Sequence, residues 1–445
     1  MKVLMSAFAC CPGEGSEGGV GWNWAIEAAK LGHEVVVLTH KHDQAAIEAE
    51  IAFGNLPPNL SFDFLMPAWL FWLMENGLKA RLDGLTYQVV HLLWQFVAYA
   101  HVRKNHLDQG YDAIHHITYG GIRHPTLLGR FSIPLVLGPL GGGERTPFRL
   151  RRSHPLRGWI KDLMRDVHTW LLRADPITLM ACHDALVIYV RTPETRDALP
   201  KRFDYKICQH WEIGVREKKL PLRPRRDPGA PLKLIYAGRM LYWKGMGLGL
   251  RALAEARRGG ANVSLTMVGS GPDERRWRRL ADDLGIADAI TWRGWIVQSE
   301  LDELYLSHDA LLFPSLHDAS GNVVLESFNN GLPVICLKLG GPGEMVDDSC
   351  GVVVSVKDRS EDQCIAGLAE AIADLAASPE VCAQFSAGAR KQARRFLWPD
   401  VVAELYADVM RRLECQHSRE MEPIGSVTHV HNQLSESIHP RRSRR

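Results

Sequence analysis

The nine cysteines include no C-x-x-C pair: Cys10, Cys11, Cys182, Cys208, Cys336, Cys350, Cys364, Cys382 and Cys415 are odd in number and scattered. That excludes a disulfide framework or a zinc site as the organising feature and fits a reducing compartment. Excess charge of one sign is also missing. The formal net charge is only +2 over 445 residues, so no overall field points to nucleic acid and any basic patch is local. Long apolar runs are absent too, since no stretch reaches the roughly 18–20 residues needed to span a bilayer. The longest candidate, "VVHLLWQFVAYAH" (89–101), reads as a buried helix. The opening "MKVLMSAFACC" superficially resembles a leader. A glycine loop and an amphipathic helix follow it directly, which favours a first β-strand.

What is present is a repeating rhythm. The chain is too long for one ordinary core, so two domains are expected. "KVLMSAFA", "HEVVVLTH", "YDAIHHI", "IPLVLGP" and "DALVIYV" are short apolar runs, each closed by glycine, proline or polar residues. Helical patterns lie between them, which predicts βαβ units around a parallel sheet. The rhythm breaks at the proline-rich, charged "PLRPRRDPGAP" and restarts at "LKLIYAG", "VSLTMVGSG", "ITWRGW", "ALLFPS" and "LPVICL". The expected organisation is an α/β protein of two Rossmann-like domains, 1–210 and 231–395, joined by a linker at 211–230 and facing each other across a cleft. A helix at 396–415 is expected to cross back to the first domain. The polar, aperiodic remainder, 416–445, reads as a disordered tail, its histidines included.

In parallel sheets ligands sit at the carboxyl ends of strands, so the residues just after each run are the informative ones. In "YAGRMLYWKG", Arg239 and Lys244 follow a strand and form a potential anion site. "VGSGP", with Gly269, recurs after the next strand. In "HDASGNVVLESFNNGLPVI" Asp318 and Glu326 lie eight positions apart. Gly321 permits a close backbone approach, and the amides of Asn322, Val323 and Val324 are unpaired first-turn donors. A carboxylate there can accept two hydroxyls of a ribose. Equally, Glu326 can serve the helix dipole and Asp318 can be an ordinary loop acid; spacing leaves the two readings even.

Taken together and in order, "GRxxxxKG", "GSGP", D-x7-E and "GLPVI" resemble the donor half of the retaining nucleotide-sugar glycosyltransferases of family 4 (glycosyl transferases group 1), which have the GT-B fold. "KLGHEVVVLT", "IPLVLG" and "EIGVRE" extend the resemblance over nearly the whole chain. It implies that Arg239 and Lys244 hold the donor diphosphate and stabilise the leaving group. It further implies that Glu326 binds the ribose, that position 318 contacts the sugar, and that Gly321, Asn322 and Val323 offer backbone amides. Glutamate is usual at 318, so Asp318 is a departure that bears on the sugar's identity. No D-x-D occurs in the sequence, in keeping with catalysis that requires neither metal nor other cofactor.

Gly18 and Gly19 match the family's glycine pair near the donor phosphate. The same segment contains G-x-G-x-x-G at Gly13, Gly15 and Gly18, the mark of a dinucleotide oxidoreductase. Against that reading, Cys10, Cys11 and Pro12 loosen the turn, and the second strand ends in Thr39 and His40 where an acid is expected. On the acceptor side, His115 and His116 alternate on one strand, so one of them, His116, is expected to line the cleft. The family's histidine after the next strand is absent: "GPLGGGE" stands there, with Gly141 and Gly142 as a backbone-rich loop and Glu144 as a candidate hydroxyl acceptor.

Eight Lys or Arg residues between Arg145 and Arg173 are interleaved with Phe148, Trp159 and Trp170, and "MPAWLFWLMENGL" (66–78) carries Trp69 and Trp72. These segments, 66–78 and 145–173, suit a peripheral membrane surface; the alternatives are a core helix and a solvated basic helix. The sequence is thus read as a cytoplasmic enzyme, at the inner face of a membrane. It would move a sugar from a nucleotide donor to a glycan or lipid-linked acceptor, with no nucleic-acid partner. A phosphorylase-like use of the fold with pyridoxal phosphate and a catalytically silent sugar-nucleotide-binding protein are the rivals.

Overall fold

The computed structural model describes all residues except 16, 80–82, 219–224, 228 and 422–445. Two parallel sheets dominate it. The first contains β1 (Lys2–Ser6), β2 (Glu34–Thr39), β3 (Leu60–Phe64), β4 (Ala113–His116), β5 (Leu135–Leu140), β6 (Ala185–Val190) and β7 (Ile207–Gln209). They lie in the order β3-β2-β1-β4-β5-β6-β7. The second contains β8 (Leu232–Ala237), β9 (Val263–Val268), β10 (Ile290–Arg293), β11 (Ala310–Phe313), β12 (Val334–Leu337) and β13 (Gly351–Val354), ordered β10-β9-β8-β11-β12-β13. Helices cover both faces, so the central strands are apolar on both sides; Val3, Leu4 and Met5 of β1 and Leu234, Ile235 and Tyr236 of β8 are fully buried.

Both orders reverse direction beside their first strand. A crevice opens where neighbouring crossovers run to opposite sides, at the carboxyl ends of β1/β4 and of β8/β11. The chain therefore places Gly18–Gly19, His116, Arg239, Lys244 and Asp318 around two such points.

The helix Trp398–Met421 packs back on the first half. Its Tyr406 hydroxyl lies 3.0 Å from His115 Nδ1, and Asp408 accepts from the Tyr189 hydroxyl at 2.6 Å. The helix runs on to Met421, so residues 416–421 are helical where the sequence reading began the tail; 422–445 lie outside the described residues, as does the central part of the expected linker. Helix Asp83–Asn105, which contains 89–101, is only half interior: Val90, Trp94 and Ala98 are buried while Val89, Leu92 and Phe96 are exposed.

Candidate functional site

The loop after β8 is built to carry charge at the sheet edge. Gly269 has φ +116°, and a Cβ there would run into the Gly238 carbonyl. The turns after β8 and β9 thus touch backbone to backbone, which only glycine allows. Lys244 ends a single helical turn, and its Nζ donates to Asp318 Oδ2 at 2.6 Å. The Ser315 hydroxyl donates to the same oxygen at 3.0 Å. An ammonium has three donors, so Lys244 can hold Asp318 and still offer protons to a phosphate. Arg239 is exposed and forms no ion pair among the described residues.

Gly321, at φ +76°, caps the helix Asn322–Asn329. The Val324 amide, expected to be free, donates to Gly321 O at 2.8 Å, because the first turn tightens around that glycine. The amides of Asn322 and Val323 are the ones left for a ligand. Glu326, on the second turn, lines a cavity of about 160 Å³ together with Asn322 and Leu325 from its own half and Gly15, Gly19 and Asn23 from the other. The Asn322 side chain donates across it to Gly15 O at 2.8 Å. Gly19 is a contact point in its own right: a Cβ there would collide with the Glu14 carbonyl, and at Gly18 with the Glu14 carboxylate.

Burial holds the Glu326 carboxyl above its ordinary value of 4.5, while the Tyr305 hydroxyl, 3.3 Å away, works in the opposite direction. A carboxyl raised by folding costs stability only when ionised. The cost is absent below about 4.5, grows as pH rises through the raised value, and is complete above it. Glu326→Gln is therefore expected to be more stable than the wild type at neutral pH. Urea unfolding as a function of pH checks this: the gain should vanish toward pH 4.5, and a gain independent of pH would refute the assignment.

The acceptor-side expectations need correction. His116 does not line the cleft. It is fully buried, with Ser6 Oγ 3.2 Å from Nδ1 and His91 packed nearby, and its Nε2 has no hydrogen-bond partner among the described residues. His115 is equally buried on the opposite face, against Gly138 O at 2.8 Å. Both faces of β4 are covered, so alternation sends the two rings into two interiors, and burial pushes His116 down to about 3. Glu144 is not a free acceptor either. Its carboxylate is buried and takes the Gly142 amide at 2.9 Å and the hydroxyls of Thr192 and Thr195 at 2.6 and 2.8 Å. It shapes the glycine loop. Gly141 lies against Arg191 and Ala319, where the two halves meet.

Sequence reasoning missed Arg191. Directly after β6, it pairs with Glu212 inside the protein and donates to Pro139 O at 3.1 Å and to Ser320 Oγ at 3.2 Å, two residues from Asp318. A second bridge was missed too. The Tyr242 hydroxyl, two residues before Lys244, donates to Asp162 Oδ1 at 2.8 Å on the helix Leu156–Leu171.

Comparison with known proteins matches residues 223–392 to the family described as glycosyl transferases group 1. The chain is 27% identical over 242 residues to a glycogen synthase of Mycobacterium tuberculosis, covering 53% of this chain and 55% of that one. It is 28% identical over 202 residues to the lipopolysaccharide core biosynthesis glycosyltransferase LpsD of Rhizobium meliloti, 44% of this chain and 55% of that one. It thus spans about half the length of these curated relatives. The apo lipopolysaccharide outer core galactosyltransferase WaaB superposes with TM-score 0.60 at 13% identity, over 93% of this chain and 100% of that one. The two parallel sheets are those of the GT-B fold, and residues 223–392 of the second half are similar to the group 1 glycosyl transferases.

Proposed function

We propose that the protein is a retaining glycosyltransferase of family 4 that takes a sugar from a nucleotide-diphosphate donor and passes it to a glycan or lipid-linked glycan. The observation carrying this reading is the pairing of Lys244 with Asp318 at the carboxyl edge of the second sheet, together with a cavity that Glu326 and Asn322 share with Gly19 of the other half and that Lys244 and Asp318 do not themselves line. In this reading Glu326 accepts the ribose hydroxyls, Lys244 and Arg239 face the diphosphate, and Asp318 contacts the sugar. The bond from the anomeric carbon to the phosphate oxygen breaks as one to the acceptor oxygen forms on the same face. The departing phosphate oxygen takes the acceptor proton. The cations and first-turn amides stabilise the charge that develops on it, without a call on metal. The lipopolysaccharide-related names among the relatives favour a cell-surface glycan as product. A thermal-shift panel of nucleotide sugars tests the reading. One donor family should raise the melting temperature selectively; a flat panel would overturn it.

The acceptor is proposed to be presented at a membrane. No helix among the described residues is long and apolar enough to cross one. The helix Leu156–Leu171 is nonetheless amphipathic with its apolar side outward: Leu156, Ile160, Met164, Val167 and Trp170 are exposed. Its polar side faces the second half, through Asp162 and Arg157. Trp69, Phe71 and Trp72 are likewise exposed on the helix Ala68–Lys79. The exposed apolar side chains on both helices are what supports the membrane reading over a core helix or a solvated basic helix. Replacing Met164 and Trp170 by glutamate should cut co-sedimentation with anionic phospholipid vesicles at least tenfold; unchanged binding would count against this surface.

A further inference from the structure

One cluster brings two imidazoles and a carboxylate together, with one donor atom of each within 4.8 Å of the others. Asp63 on β3 places Oδ2 2.7 Å from His101 Nε2, near the carboxyl end of the helix Asp83–Asn105, and 2.8 Å from Nε2 of His106, the residue directly after that helix. The tautomer of His106 follows from its neighbours. The Gln109 amide nitrogen donates to Asn105 O at 2.7 Å, which turns Gln109 Oε1 toward the Tyr111 hydroxyl at 3.1 Å. That hydroxyl spends its proton on Gln109, so its oxygen accepts from His106 Nδ1–H at 2.9 Å. Neutral His106 then aims a bare Nε2 lone pair at a carboxylate oxygen. Two acceptors at 2.8 Å need a positive centre between them, either a second proton on the imidazole or a metal ion in its place.

We infer that Asp63, His101 and His106 form a binding site for one zinc-type divalent cation. Two imidazoles and a carboxylate are a common zinc donor set, and a ring whose other nitrogen is held by a phenol is the usual outer-shell arrangement. Ligand bonds of about 2.0–2.1 Å require the three donor atoms to spread by about half an ångström. His101 has room for this, being partly exposed on the last turns of its helix. Its Nδ1 faces only the amide of Asn105, at 3.1 Å. A half-turn of that exposed amide presents oxygen in place of nitrogen and frees His101 Nε2 for the cation. His106 is held fast and buried, while Asp63 is partly open to solvent, which leaves the fourth position to water. The bound ion would pin strand β3, at the edge of the first sheet, to the end of the helix that carries Trp94 and His91.

The test uses the full chain, stripped with a chelator and titrated with Co²⁺ and Zn²⁺, against His101→Asn and Asp63→Asn. The wild type should bind one metal equivalent more than either variant, show the visible absorption of low-symmetry Co²⁺, and gain about 2–4 °C in melting temperature with Zn²⁺ but not Mg²⁺. His101→Asn changes an outer helical position, so it keeps the test valid should Asp63→Asn fail to fold. Equal metal content and equal thermal response in wild type and His101→Asn, or no response of the wild type, overturns the site.

Discussion

Lys244→Ala is expected to lower turnover about a hundred- to a thousandfold, the usual effect of removing one donor aimed at developing negative charge. Lys244 has two roles. It neutralises Asp318, and in the proposed reaction its remaining protons face the diphosphate as the glycosidic bond breaks. The roles separate experimentally. Alanine leaves the Asp318 carboxylate with Ser315 as its remaining hydrogen-bond partner among the described residues, so part of any loss comes from a displaced loop. The double variant Lys244→Ala/Asp318→Asn removes that electrostatic imbalance and should restore stability while leaving turnover low. Initial rates of nucleoside diphosphate release measure the effect. A single variant with a near-normal rate would remove Lys244 from the mechanism.

Arg191→Ala is expected to be the most destabilising of these substitutions, at about 3–5 kcal/mol, because it strands a buried carboxylate. The guanidinium and Glu212 are both buried, and Glu212 also accepts from the Ser320 hydroxyl. The three residues tie β6, the segment entering the linker and the loop that carries Asp318. Urea unfolding reads the loss. Replacing Arg191 and Glu212 together by methionine should recover most of it, since apolar groups of similar volume avoid the desolvation cost. A single variant as stable as the wild type would show that the network holds nothing.

The fold was legible because parallel strands buried on both faces advertise themselves as short apolar runs. β1, β2, β4, β5 and β6, and β8 to β12, coincide with such runs. The strands that escaped were β3, β7 and β13, which lie at sheet edges. "LSFDF" of β3 has no fully buried residue, so nothing in its composition separates it from a loop. Asp318, Lys244 and Glu326 were singled out because their order and spacing around glycines resemble a family pattern; the structure pairs Lys244 with Asp318 and sets Glu326 on a cavity with Gly19. His116 and Glu144 misled because a residue at a strand's carboxyl end was taken to face the cleft. Whether it does depends on which helices cover that strand, and those come from far along the chain. Arg191 follows β6 in the same way that Arg239 follows β8, so the strand-end rule could have found it. Its partners, Glu212 and Ser320, lie 21 and 129 positions away, and no local pattern joins them.

The central claim is that one sugar nucleotide is held between the two halves, with its pentose on Glu326 and its phosphates on Lys244. Calorimetric titration of nucleoside diphosphates into the wild type and into Glu326→Gln tests it most directly. The account predicts a single site on the wild type for at least one base, weakened about 10- to 100-fold in the variant by loss of a charged hydrogen-bond acceptor. Equal affinity in the two proteins, or no nucleoside diphosphate binding to the wild type, would contradict it.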